Sequence, residues 1–148
     1  MPLTPVTPVL AQGLLPMFIV ETAPSTTRAA AQQWARAYTA YAVAGGIPAL
    51  PNQAALALDL EKAFNPELAG KGPPLFIGAL SKFWMGLPVP YMAGAVALFA
   101  PTSSNVNSEQ PDDATPQDQA NGLAQVISGF TLSAVKVLVP PGVLVPIT

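Results

Sequence analysis

The chain of 148 residues contains no cysteine and no histidine, and only 9% of its residues are charged. Without cysteine it can form neither disulfides nor zinc–thiolate sites, and it has no thiol nucleophile. Without histidine it lacks the commonest metal ligand and the commonest general base near neutral pH. We therefore predict that the chain is not an enzyme and that it has no catalytic, cofactor-binding or metal-binding residues.

The carboxylates and glycines that remain do not form a known catalytic pattern. Asp59 and Glu61 lie two positions apart on a predicted helix, so their side chains point in different directions. Asp112 and Asp113 lie in a polar stretch, where two solvated carboxylates and a loose cation site are both open interpretations. The lysine between Gly70 and Gly72 lacks the spacing and the following hydroxyl residue of a phosphate-binding loop.

The scarcity of charge also restricts the partners. A nucleic-acid site needs clustered basic side chains, and the six here are scattered in a chain of net charge −2, so no nucleic-acid partner is expected. A free monomer usually stays soluble through many charged surface residues. Large neutral areas are therefore expected, covered by partner proteins in an oligomer or particle. A monomer solubilised by Ser, Thr, Gln and Asn remains the alternative.

Proline and helical periodicity predict a mainly α fold, a single domain of about four helices at residues 25–136. The clearest helix has Ser25, Thr26 or Thr27 as its cap and Gly45-Gly46 as its end. The other predicted helices span 52–64, with Asn52 as cap, 73 to about 84, and 117 or 118 to about 135. Residues 102–119 are polar and predict a loop.

Eighteen prolines, several of them near the two ends, predict extended terminal arms at residues 1–24 and 137–148. A strand is expected only at 135–147. Both arms are rich in apolar side chains, which disordered tails usually lack. We predict that the arms contact neighbouring subunits, although folding back over the chain's own helices remains open.

Large apolar side chains supply the interface candidates. Trp34, Tyr38 and Tyr41 follow at i, i+4 and i+7, so they share one stripe of a helix, where core packing and an interface anchor are both open. The full set of interface candidates is Trp34, Tyr38, Tyr41, Phe83, Trp84, Leu14, Leu15, Phe18, Val143 and Leu144.

The order of these elements is similar to that of a known class of protein. Residues 31–42 read Ala-Gln-Gln-Trp-Ala-x-Ala-Tyr-x-x-Tyr-Ala, a Leu/Phe helix follows at 54–64, and an aromatic helix ends in Phe83-Trp84. A Val-Pro stretch and a late helix then lead into a Val/Pro-rich tail. This order resembles small virion structural proteins of tailed bacteriophages, over roughly residues 28–147.

The resemblance implies a structural or assembly subunit of the neck, tail or baseplate, present in several copies. Its partners would be other virion structural proteins and copies of itself, and its location would be the virion, assembled in the host cytoplasm. Residues 83–100 carry no charge and suggest an alternative, a small membrane-associated protein that inserts this segment. A carrier of a small apolar ligand between the helices is a third possibility.

Overall fold

The computed structural model describes residues 3, 6–65, 72–90, 92, 94–100, 114–140 and 142–147. Within them the chain is mainly α-helical and forms a single small domain, which confirms the predicted fold class. The helices are α1 (Thr7–Leu14), α2 (Thr27–Ala44), α3 (Gln53–Ala63), α4 (Gly72–Trp84) and α5 (Pro116–Ala134). The strands are β1 (Val96–Phe99), β2 (Val135–Val139) and β3 (Val143–Pro146).

Helix α2 forms for the local reasons that the sequence indicates. Its N-cap is Thr26, whose hydroxyl oxygen accepts a hydrogen bond from the Ala29 amide at 3.0 Å. Gly45 ends the helix, and Gly46, with a φ of 88°, turns the chain away. The helix packs against α1 on one side and α3 on the other, so it lies at the centre of the domain.

The N-terminal segment differs from the extended arm that we expected. Residues 7–14 form α1, and a 3₁₀-helix follows at Leu15–Phe18. Pro8 and Pro16 lie in first turns, where an amide N–H would have no helical partner, so neither proline interrupts the helical bonding. Leu10 and Leu14 are fully buried in this chain's own core, so the described part of the segment packs in cis.

Small side chains let α1 approach α2 closely. A Cβ atom built on Gly13 would lie 2.6 Å from the Cβ atom of Ala37, a separation that real side chains do not adopt. Buried alanines line much of α2, namely Ala31, Ala35, Ala37 and Ala42. The alanine that dominates the apolar composition thus serves close packing between helices.

The helices α3 and α4 follow the predicted ranges within one or two residues, but the predicted cap of α3 has another role. The Asn52 side chain forms no cap hydrogen bond, and its amide group donates instead to the Phe83 carbonyl at 3.0 Å. This bond joins the start of α3 to the end of α4. Helix α5 begins with a capping box between Thr115 and Asp118.

Helix α5 also shortens the predicted polar loop, since residues 116–119 are helical. Residues 102–113 of that loop lie outside the described residues.

The three strands form one antiparallel sheet in the order β1-β2-β3. The strand structure predicted at 135–147 is confirmed, as two strands joined by a tight turn. Strand β1 was not predicted. Ala97, Val135, Val137 and Ile147 are buried on the face of the sheet that joins the core. The described part of the tail therefore packs in cis, and its outer strand forms an edge.

Candidate interaction surfaces

Three buried side chains on three different helices meet in a hydrogen-bonded network. The Trp84 indole N–H donates to the Tyr38 hydroxyl at 2.7 Å, and that hydroxyl lies 2.6 Å from the Thr131 hydroxyl. Because an indole nitrogen only donates, the Tyr38 oxygen accepts from Trp84 and its own hydrogen is free for Thr131. These contacts tie α2 to α4 and α5 in the centre of the domain.

A second branch of polar contacts runs beside the first. The Tyr41 hydroxyl and the Thr7 hydroxyl each lie 3.0 Å from the hydroxyl oxygen of Ser128. Burial raises the pKa of the Tyr38 and Tyr41 hydroxyls, and their hydrogen bonds offset only part of this effect. Both tyrosines are therefore neutral at physiological pH, and the geometry serves to fix helix positions.

The aromatic interface candidates lie inside the domain. Trp34 packs edge-on against Phe76 with ring centroids 5.4 Å apart, and Tyr38 packs against Phe83 with centroids 5.2 Å apart. Trp34 is 8% exposed, Phe83 is 2% exposed, and Tyr38, Tyr41 and Trp84 are fully buried. The sequence left both core packing and an interface open for the stripe of Trp34, Tyr38 and Tyr41. In the structure these rings pack in the core, so they are not available to a partner in this fold.

The aliphatic interface candidates divide into two groups. Leu14 is fully buried against the helices of its own chain, and Leu15 and Phe18 are partly buried. Val143 and Leu144, by contrast, are 54% and 58% exposed. Strand β3 therefore keeps two of the ten candidates at the surface.

An open cleft of about 650 Å³ lies beside α2 and α3. Leu50 and Leu58 line it and are 67% and 62% exposed, so the cleft presents two large aliphatic side chains. The remaining lining residues are small or neutral except for one cation: Gln32, Ala35, Arg36, Pro51, Gln53, Ala54 and Ala57.

Arg36 differs from Arg28 and Lys82 in its pairing. Arg28 on α2 lies 3.1 Å from the Glu61 carboxylate, and Lys82 on α4 lies 3.8 Å from that of Asp59. Glu61 and Asp59, both on α3, thus each pair with a cation on an adjacent helix. Among the described residues no carboxylate pairs with Arg36, so its charge faces the cleft without a counter-ion.

The sequence contains a signal for the cleft, and it is aliphatic rather than aromatic. Leu56, Leu60 and Phe64 form the ladder that α3 directs inward, whereas Leu58 lies two positions from Leu56 and so faces the opposite side. A leucine on the outer face of an amphipathic helix is expected to lie at the surface. Leu50, next to Pro51, lines the same cleft as Leu58 and extends its aliphatic surface.

Residues 83–100, which the membrane alternative would insert, contribute Phe83, Trp84, Val89, Ala95 and Ala97 to the core. In the described part of the chain no helix has both the length and the apolar character needed to cross a bilayer. Comparisons with protein-family models, with curated proteins and with solved structures gave no match. The class of protein that the described residues define is thus a small helical domain with a buried polar network and two aliphatic surfaces.

Proposed function

We propose that the chain is a structural or assembly subunit of a tailed-bacteriophage virion, in the neck, tail or baseplate. It acts through protein–protein packing, in several copies and without catalysis. The phage assignment is supported by the order of the sequence elements, from the Trp/Tyr-containing helix to the Val/Pro-rich tail. The packing role is supported by the surface of the domain.

The observation that carries the packing role is the cleft with Leu50 and Leu58. Covering apolar surface contributes about 25 cal/mol per Å², so two leucines that are more than 60% exposed favour a bound partner. A chain with only 9% charged residues has few side chains with which to keep such a surface soluble alone. An assembled particle covers this kind of surface permanently.

The cleft also defines the chemistry of what it binds. Arg36 supplies one positive charge without a counter-ion among the described residues, and Gln32 and Gln53 supply amide groups at the same cleft. The matching occupant is a segment of another virion protein that carries aliphatic side chains and one carboxylate. A carboxylate–guanidinium pair would fix the orientation of that segment in the cleft.

Detection in purified particles tests the proposed function. Phage particles are purified on a density gradient, their proteins are digested, and the peptides are identified by mass spectrometry. The expected result is that this chain's peptides sediment with the particles and resist removal by detergent. If purified particles never contain the chain, or if it follows the detergent-soluble membrane fraction, the proposal is wrong.

A cleft variant tests the surface within that function. The double variant Leu50→Ser/Leu58→Ser should leave the fold intact, because both side chains are mostly exposed, and should greatly reduce incorporation into particles. Val20→Ser is the matched control, since Val20 is 90% exposed but does not line the cleft. Equal incorporation of both variants would contradict a role for the cleft.

A further inference from the structure

The C-terminal segment contains one tetrapeptide twice. Residues 137–140 and 143–146 both read Val-Leu-Val-Pro, and only Pro141-Gly142 separates them. The two copies supply β2 and β3, and the Gly142 amide donates to the Val139 carbonyl at 2.8 Å in the turn between them. A repeat that is folded into a hairpin brings a sequence opposite its own copy.

The pairing shows that this sequence fits itself in antiparallel orientation. In the register of β2 and β3, Val137 lies opposite Val145, Leu138 opposite Leu144, and Val139 opposite Val143. Each valine therefore faces a valine and the leucine faces a leucine, which suits β-branched and aliphatic side chains on a pleated surface. The Val-Leu-Val segment is self-complementary within one chain.

Strand β3 leaves one edge of the sheet open. At the opposite end, residues beside β1 close the sheet: the Gly86 amide donates to the Ala97 carbonyl at 2.9 Å, and the Ala97 amide donates to the Leu87 carbonyl at 2.7 Å. In the described part of the chain no segment pairs with the outer edge of β3. The open edge therefore carries the Val-Leu-Val segment itself.

The direction of the backbone groups identifies which residue faces outward. The Ile147 amide donates to the Val135 carbonyl at 3.4 Å, and backbone groups alternate in direction along a strand. Val145 and Val143 consequently face β2, and the N–H and C=O groups of Leu144 face away from the sheet. The Leu144 side chain is also 58% exposed, so both its backbone and its side chain are open to a partner.

We propose that two copies of this chain pair through β3, antiparallel about Leu144, to form one continuous six-stranded sheet. The Leu144 N–H of each copy donates to the Leu144 C=O of the other, and a two-fold axis passes between them. Pro146 has no N–H to donate, so the ladder stays short and its register is fixed. Because the described part of each copy has one such edge, the contact closes as a dimer.

This inference rests on the proposed function, since it names a second copy of the chain as one of the partners of the subunit. The same edge would also suit an aliphatic strand of a different protein. The self-complementary pairing of Val137–Val139 with Val143–Val145 favours a second copy, and the experiment separates the two.

Sedimentation velocity of the full chain over a range of concentrations tests the dimer, with the variants Leu144→Lys and Leu144→Glu. The two-fold axis places residue 144 opposite itself, so either variant puts like charges together. Each should raise the dimer dissociation constant by more than about tenfold. An equimolar mixture of the two variants should restore the dimer, because opposite charges then face each other.

Val20→Lys is the control, since it places a charge on an exposed aliphatic side chain that belongs neither to β3 nor to the cleft, and it should leave the dimer unchanged. Circular dichroism should show the same helical content in all variants.

A native chain that stays monomeric at all concentrations overturns the inference, and so does a dimer that is insensitive to both charges at residue 144. Failure of the mixture of the two variants to dimerise also overturns the inference. In that case the edge of β3 would be the site for a strand of a different protein. None of these results changes whether the chain is found in purified particles, so the inference and the proposed function can fail separately.

Discussion

Replacing Tyr38 with phenylalanine removes one oxygen atom from the centre of the domain. That oxygen accepts the indole hydrogen of Trp84 at 2.7 Å and lies 2.6 Å from the Thr131 hydroxyl. All three residues are fully buried, so water does not replace the lost contacts without rearrangement. The ring itself stays in contact with Phe83 and Trp84.

The structure sets the expected size of the effect. A buried polar group left without its partner costs about 1–3 kcal/mol, and Tyr38→Phe deprives two such groups of theirs. We expect the free energy of unfolding to fall by about 2–6 kcal/mol, a large share of the roughly 5–15 kcal/mol of an ordinary domain. For a chain of this length the melting temperature should fall by roughly 4 to 24 °C.

Tyr41→Phe is the matched control because Tyr41 is equally buried and lies in the same helix. Its hydroxyl contacts Ser128, and Ser128 keeps its contact with Thr7 when Tyr41 is changed. The expected loss is about 1 kcal/mol. Urea unfolding followed by circular dichroism measures both variants, and a Tyr38→Phe loss no larger than that of Tyr41→Phe would refute the network as described.

Two further predictions concern the same core. Burial raises the pKa of Tyr38 and Tyr41, so above pH ~10 the unfolded chain releases phenolic protons that the folded chain keeps. The free energy of unfolding should therefore fall by up to about 1.4 kcal/mol per pH unit from Tyr38, with a further fall from Tyr41. Urea midpoints from pH 8 to pH 11.5 measure this decline, which the Tyr38→Phe/Tyr41→Phe variant should reduce. Deleting residues 1–20 removes three fully buried leucines, at positions 3, 10 and 14. Burial of each leucine stabilises the fold by roughly 1.5–3 kcal/mol, so the truncated chain should lose its helical signal and aggregate. A folded, helical and soluble truncated chain would show that this segment does not belong to the core.

Local signals in the sequence were sufficient to predict α2 and most of α3, α4 and α5. A cap such as Thr26 and an end such as Gly45-Gly46 act within one turn of the chain, so they can be recognised without the fold. Asn52 shows the limit of this reasoning. It looks like a cap, yet its amide group bonds to Phe83, which lies 31 residues away in sequence.

The elements that were mispredicted depend on distant partners. Prolines at positions 8 and 16 indicated an extended arm, but both fit a first helical turn, and the helix is stabilised by packing against α2 and α5. Strand β1 reads only as a short apolar run, and it becomes a strand because β2 pairs with it from about forty residues further along. Neither partner can be identified from the local sequence.

The same limit explains why the aromatic residues were poor guides to the surface. Tyr38, Phe83 and Trp84 pack against one another inside the domain, so their rings do not reach the surface. Among the described residues the exposed large apolar side chains are therefore aliphatic or methionine: Val20, Val43, Leu50, Leu58, Leu75, Met85, Val143 and Leu144.

An aliphatic surface has a consequence for how the domain binds. Contacts dominated by leucine and valine lack the Trp and Tyr anchors that often supply much of the affinity of an interface. The cleft beside Leu58 and the edge at Leu144 are two separate surfaces of this kind on one small domain. When two weak contacts are engaged at once in an assembly, the second becomes effectively intramolecular, and the combined affinity can exceed either by about 10²–10⁴. Such a domain is held firmly only where both neighbours are in place, which suits an ordered particle of repeated subunits better than a one-to-one complex.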